Sequence, residues 1–136
     1  MATSLQYAIP GSFAQTFTAA GTLTAGQLVK MHSVAGQVVA CSADTDPFVG
    51  VVQSDGAIAT EPVSIVTAGP AYILCGGAIP ASGNGIGTPD SAGAAVAWTS
   101  GGARKQCVKV TGYTGSLTTA SGDLVIGNVL AGLVGV

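Results

Sequence analysis

The chain has 136 residues, 48% of them hydrophobic and only 7% charged, with a formal net charge of −2, whereas a typical soluble domain is roughly 25% charged. That length supports one domain with a core of its own, and so apolar a composition excludes wholesale disorder, which needs high charge and low hydrophobicity. The basic residues, Lys30, Arg104, Lys105 and Lys109, are too few to track a phosphate backbone, so nucleic acid is not an expected partner.

The first segment, residues 1–20, concentrates Tyr7, Phe13 and Phe17 among Ser, Thr, Gln and Ala, and Pro10-Gly11 interrupts it. It cannot be one regular element. An extended N-terminal arm is expected, either packed along its own domain or reaching a neighbouring subunit or host surface with Tyr7, Phe13 and Phe17 as its contact residues. The opening MATSLQYAIPGSFAQ has neither a positively charged region nor a continuous apolar run, so it does not read as a signal peptide.

From residue 21 onward a single β domain is expected, because the period of the apolar residues is two rather than 3.6. Strands are expected over 27–33 and 37–41, flanking Val34-Ala35-Gly36 as a hairpin. The run FVGVVQ over 48–53 is of the fully buried type. Residues 62–67 alternate, Gly69-Pro70 reads as a turn, and 71–75 as the next strand. The stretch 76–89, rich in Gly and Pro, reads as a long connection. Strands over 94–98, 106–111 and 124–130 complete the set. No window supports an amphipathic helix, and short strands joined by Gly and Pro turns predict a mainly β fold, a small sandwich or barrel. The C-terminal LVIGNVLAGLVGV is 13 residues long and contains Asn128; a spanning helix needs about 20 apolar residues, so no membrane partner is expected.

A repeat runs through the domain. Gly26, Gly36 and Val39 recur as Gly83, Gly93 and Val96, each 57 residues on. SVAGQVVAC is echoed by DSAGAAVAW. Val49-Gly50-Val51-Val52 finds a match in Ile126-Gly127-Asn128-Val129, at the cost of about 20 additional residues. Two similar β units, about 21–75 and 76–136, are expected to close one core.

Catalytic chemistry is not legible. His32, the single histidine, has no carboxylate beside it in sequence, and a histidine base needs an orienting partner and a nucleophile within reach. GNGIG over 83–87 lacks the following helix that a phosphate-cradling loop requires, since Thr88-Pro89 comes next. Asp44 and Asp46 are two oxygen ligands without the turn glycine and distant Glu of a calcium loop. Cys41, Cys75 and Cys107 are widely spaced in apolar stretches and read as reduced, buried small hydrophobes. Glu61 stands alone. No enzyme, cofactor or metal is expected. Phe48 and Trp98 are expected to be core residues. A surface this thinly charged is instead suited to being covered, because charge of both signs is the usual guard against association.

TAGQLVKMHSVAGQVVACSADTDPFVGVVQSDGA, followed by VSIVTAGPAYI and GGAIPASG, resembles the small capsid cement, or head decoration, proteins of tailed bacteriophages. The matching positions are Gly26 to Met31, Ala35-Gly36, Val39-Ala40, 42–46, Val49 to Val52 and Val63 to Val66, and GGAIPASGNGIGTPDSAGAAVAW with VIGNV resembles the second β unit. GGARKQCVKVTGYTGSLTT lengthens that unit relative to the pattern. The resemblance implies a structural virion protein on the outer surface of the capsid, made in the host cytoplasm. It would bind the major capsid protein and copies of itself, trimers favoured over dimers. The alternative is a β-sandwich glycan- or surface-binding module of a phage fibre or cell surface, for which Trp98 and Tyr113 are the available aromatics.

Overall fold

The computed structural model of the chain describes residues 11–53, 56–81, 85–99, 103–113 and 118–134. They form eleven strands and no helix: β1 (Phe13–Ala19), β2 (Leu23–Thr24), β3 (Leu28–Met31), β4 (Gln37–Ala40), β5 (Phe48–Val52), β6 (Gly56–Ala57), β7 (Pro62–Leu74), β8 (Ile86–Pro89), β9 (Ala95–Ala97), β10 (Lys105–Val110) and β11 (Leu124–Val134). The fold is all β, as the period of two predicts.

Five strands close a barrel in the order β1-β4-β3-β5-β7, and the pairing of β1 with β7 joins the ends. β1 runs parallel to β4 (Thr18 opposite Gln37) and antiparallel to β7 (Phe17 opposite Val63). Closure removes the open edge that makes isolated sheets prone to association. The second half of β7 leaves the barrel wall and pairs with β11, starting a further sheet, β7-β11-β10-β8-β9. That sheet curls back on itself: Cys75, just past β7, bridges Ala95 of β9 in parallel, and the Gly76 N–H donates to the Ala95 carbonyl at 2.7 Å.

The pairings therefore repeat. β1, β3, β4, β5 and the first half of β7 are matched by the second half of β7, β8, β9, β10 and β11, with the same neighbours and directions. Divided this way the seam lies inside β7, near Gly69, and β1 is the first strand of the first unit. The counterpart of β5 is β10, whose Lys105 follows Phe48 by 57 residues. The match expected between Val49–Val52 and Ile126–Val129 thus gives way to one that needs no additional residues.

Two apolar clusters hold the structure. Inside the barrel lie Ala19, Val29, Val38, Val52, Val63 and Ile65, closed at one end by Leu23 and Ala57 of the β2–β6 ribbon. The larger cluster joins barrel and second sheet through Leu28, Cys41, Val51, Val66, Ile73, Ile79, Cys107 and Val108. Leu28 and Val29, Val51 and Val52, and Ile65 and Val66 are adjacent in sequence, fully buried and divided between the clusters. These strands are covered on both faces, which is why they read as continuous apolar runs rather than alternations.

Two elements differ from the sequence expectation. Gly69-Pro70 does not turn the chain back; β7 continues through it, with Gly69 at φ 88° and its notional Cβ 2.6 Å from the Gly11 carbonyl oxygen. A left-handed glycine here bends the strand where its partner changes from β1 to β11. Ile86–Pro89, read as part of a connection, is β8, paired on both sides to β9 and β10. Within the segment 1–20, the described strand Phe13–Ala19 is extended and hydrogen-bonded into the chain's own sheet.

Candidate functional site

Strand direction decides what gathers at the barrel's ends. β1 and β4 are parallel and β3 is antiparallel to β4, so the start of β1, the end of β3 and the β3–β4 hairpin share one end, opposite the β2–β6 ribbon. Here Phe13 is 58% exposed, Val34 50% and Met31 41%. Of the expected contact residues, Phe13 is exposed and lies opposite Ala68, beside the point where β7 changes partners. Phe17 is half-buried and packs on the barrel interior, and Tyr7 lies outside the described residues. Met31 and Val34 were not singled out by the sequence, where alternation places Met31 two positions past the buried Val29.

The hairpin glycines show how differently the units use one motif. Gly36 and Gly93 have φ of 78° and 79°. In the second unit the hairpin is seated on the first: the Leu28 N–H donates to the Gly93 carbonyl at 2.8 Å, and Gln27 Nε2 donates to the Ala92 carbonyl at 2.7 Å. A Cβ on Gly93 would lie 3.1 Å from the carbonyl oxygens of Cys41 and Leu28, whereas one on Gly36 would meet nothing within 4 Å.

A second feature lies at the seam between the units. Ser42, Ala43 and Asp44 of the β4–β5 loop face Thr88, Pro89, Asp90 and Ser91, together with Val96, Ala97, Thr99 and Arg104, around a cavity of about 300 Å3. Arg104 Nε lies 3.2 Å from Asp44 Oδ2, both side chains part-exposed. Asp90 Oδ1 accepts from the Ala92 and Ala94 amides at 2.8 and 3.0 Å, fixing the hairpin wall. Thr88 is 3% exposed, and its hydroxyl is buried with no hydrogen-bond partner. Leaving such a group unsatisfied costs about 1–3 kcal/mol. Trp98, expected in the core, is half-buried, its Nε1 donating to the Arg104 carbonyl at 3.4 Å. Phe48 packs on the larger cluster.

The residues weighed for catalysis are engaged elsewhere. His32 Nδ1 accepts from the Val34 amide at 3.2 Å, bracing the exposed hairpin. Burial alone would raise the Asp46 carboxyl, but the Ser42 amide, the Lys30 ammonium 3.1 Å away and the Ala43 amide outweigh it and hold the carboxyl below its ordinary value. Asp44 and Asp46 point to different cations. Among the described residues no three of His, Cys, Asp and Glu gather as a metal site. Cys41, Cys75 and Cys107 are free and buried. Burial pushes the Cys41 and Cys107 thiols up to about 12 and also raises Cys75, which leaves them poor nucleophiles. Burial likewise raises the Tyr113 hydroxyl, which donates to the Ile79 carbonyl at 2.8 Å.

A closed five-stranded barrel sharing its longest strand with a second, curled sheet defines the architecture. No protein-family model matches the chain, and no curated protein is similar to it in sequence. Among solved structures it is similar to the N base of head fiber gp8.5 of bacteriophage phi29, with a TM-score of 0.60 at 13% identity, covering 88% of this chain and 95% of that one. The likeness is one of fold.

Proposed function

We propose that the chain is a structural protein of a phage virion, a decoration protein that binds the outer face of the head and braces contacts between major capsid subunits. The observation that carries this reading is the fold shared with a phage head-fibre base over 88% of the chain. Phe13, Met31 and Val34 support it as individually exposed apolar side chains on a sparsely charged surface, each available to be covered by a partner. Copies of the chain associate, as trimers before dimers, because cyclic assemblies suit local threefold positions on a shell. Weak contacts repeated over a shell suffice, because multivalency raises effective affinity without any one strong contact.

Imaging purified virions that carry this chain tests the reading: decoration predicts density on the outer shell at a fixed copy number per capsomer. Recombinant protein should bind expanded empty heads, and Phe13→Ser with Val34→Ser should abolish binding while leaving the fold intact. Removing residues 1–10 tests Tyr7 separately without cutting into β1. A monomer that never binds heads would sink the proposal. The same fold likeness favours a second reading, the base of a fibre; sparse sites each bearing a protruding stalk would select it over even decoration.

A further inference from the structure

We propose that the free edge of β1, at Ala14 and Thr16, receives residues 5–9 of a second copy of the chain as an added strand. The inference rests on the association of copies in the reading above and not on head binding.

Register exposes the edge. β1 pairs with β7 from Phe13 to Thr18 but meets β4 only through Thr18 and Ala19. The Thr18 N–H donates to the Gly36 carbonyl at 2.9 Å, while the Ala19 N–H points the other way, to the Glu61 carbonyl at 2.9 Å. Main-chain groups alternate in direction along a strand, so those of Ala14 and Thr16 lie on the Thr18 side, before β4 begins. Among the described residues no strand pairs with that side, which leaves two N–H donors and two carbonyl acceptors open. Phe13 to Thr16 are all exposed. Such a row of main-chain groups is a template for an incoming strand. The usual guards are missing: SFAQTF over 12–17 has no charge and no proline, and the register shift between Phe13 and Ala14 precedes the open pair.

The chain itself supplies the occupant. LQYAI over 5–9 alternates Leu5, Tyr7 and Ile9 with Gln6 and Ala8, the pattern of a strand, and residues 1–10 carry no charged side chain. Only Pro10 and Gly11 separate this segment from Ser12. A two-residue return onto its own β1 needs a primed turn, with positive φ at the first central position, and proline holds φ at about −65°. Gly11, with φ 94°, suits the second central position of a type II turn, which splays strands rather than pairing them. The segment is thus steered off its own edge and toward that of a neighbour. Because every copy gives one segment and receives one, the contact is head-to-tail and closes as a ring, as a trimer requires.

The test follows the full chain by light scattering and sedimentation over a concentration series, together with hydrogen exchange of its amides. The expected result is concentration-dependent assembly that protects the amides of Ala14 and Thr16. The chain lacking residues 1–10 keeps the edge but has no strand to give, whereas Thr16→Pro keeps the strand but loses an edge donor. Each alone should be a folded monomer, and an equimolar mixture should form one-to-one pairs and nothing larger. A peptide of residues 1–10 should bind the truncated chain and protect the same amides, a readout that does not depend on the folding of Thr16→Pro. Undiminished assembly of the truncated chain overturns the inference and points to β1 pairing with β1 or to another face. Protection of Ala14 and Thr16 in the monomer overturns it in favour of the chain's own segment. A full chain that stays monomeric at every concentration overturns the association of copies as well.

Discussion

Alanine at Gly93 and alanine at Gly36 form a matched pair. Both glycines sit at φ near 78–79°, so each substitution carries the left-handed backbone cost of about 1–2 kcal/mol. Only at Gly93 does the new methyl press on fixed carbonyls, those of Cys41 and Leu28 at 3.1 Å. Relieving that contact means lifting the hairpin from the first unit and losing the bonds from the Leu28 N–H and Gln27 Nε2. At about 0.5–1.5 kcal/mol each, those two bonds add about 1–3 kcal/mol. Gly36→Ala should therefore cost about 1–2 kcal/mol, and Gly93→Ala about 2–5 kcal/mol. Urea unfolding followed by the fluorescence of Trp98, the single tryptophan, measures both. Equal losses would mean that the seated hairpin contributes nothing to stability, and the reading of the seam would fail with it.

Three further outcomes are expected. Asp46→Asn should lose about 1.5–3 kcal/mol at neutral pH, the range for hydrogen bonds to a charged group. Because folding lowers the Asp46 carboxyl, its contribution is present above the ordinary carboxyl range and lost as pH falls through the folded value; wild type and variant should converge in acid, and a difference that persists there would contradict the assignment. The buried thiols, with Cys41 and Cys107 held near 12, should react with Ellman's reagent at pH 8 only on unfolding; fast native labelling would refute their burial. Ile73→Ala, fully buried in the larger cluster, should cost about 2–5 kcal/mol, whereas Ile58→Ala, 61% exposed, should stay within about 0.5 kcal/mol; calorimetry or urea melts distinguish them.

Legibility in the sequence followed the reach of each interaction. β3, β4, β5, β10 and most of β11 were readable because their apolar pattern is local. β8 was not: IGTP sits among glycines and prolines, and its identity as a strand comes from partners at 95–97 and 108–109. β1 read as an arm because its two phenylalanines are diluted by Ser, Thr and Gln; what makes it barrel wall is pairing with Val63–Val66, nearly fifty residues away. Gly69-Pro70 carries a turn signal, yet a turn needs the strands on either side to pair with each other, and here each half of β7 finds a separate partner. The cavity was least legible, because Asp44 and Arg104 are 60 residues apart and Thr88 is unremarkable until its surroundings are known.

A continuous β7 also has a mechanical consequence. Since one unbroken run of backbone is woven into both halves of the molecule, there is no linker between them to serve as a hinge. A pull on either half is handed to the other along covalent bonds flanked by cross-strand ties, so the halves should resist shear as one body and come apart in a single step.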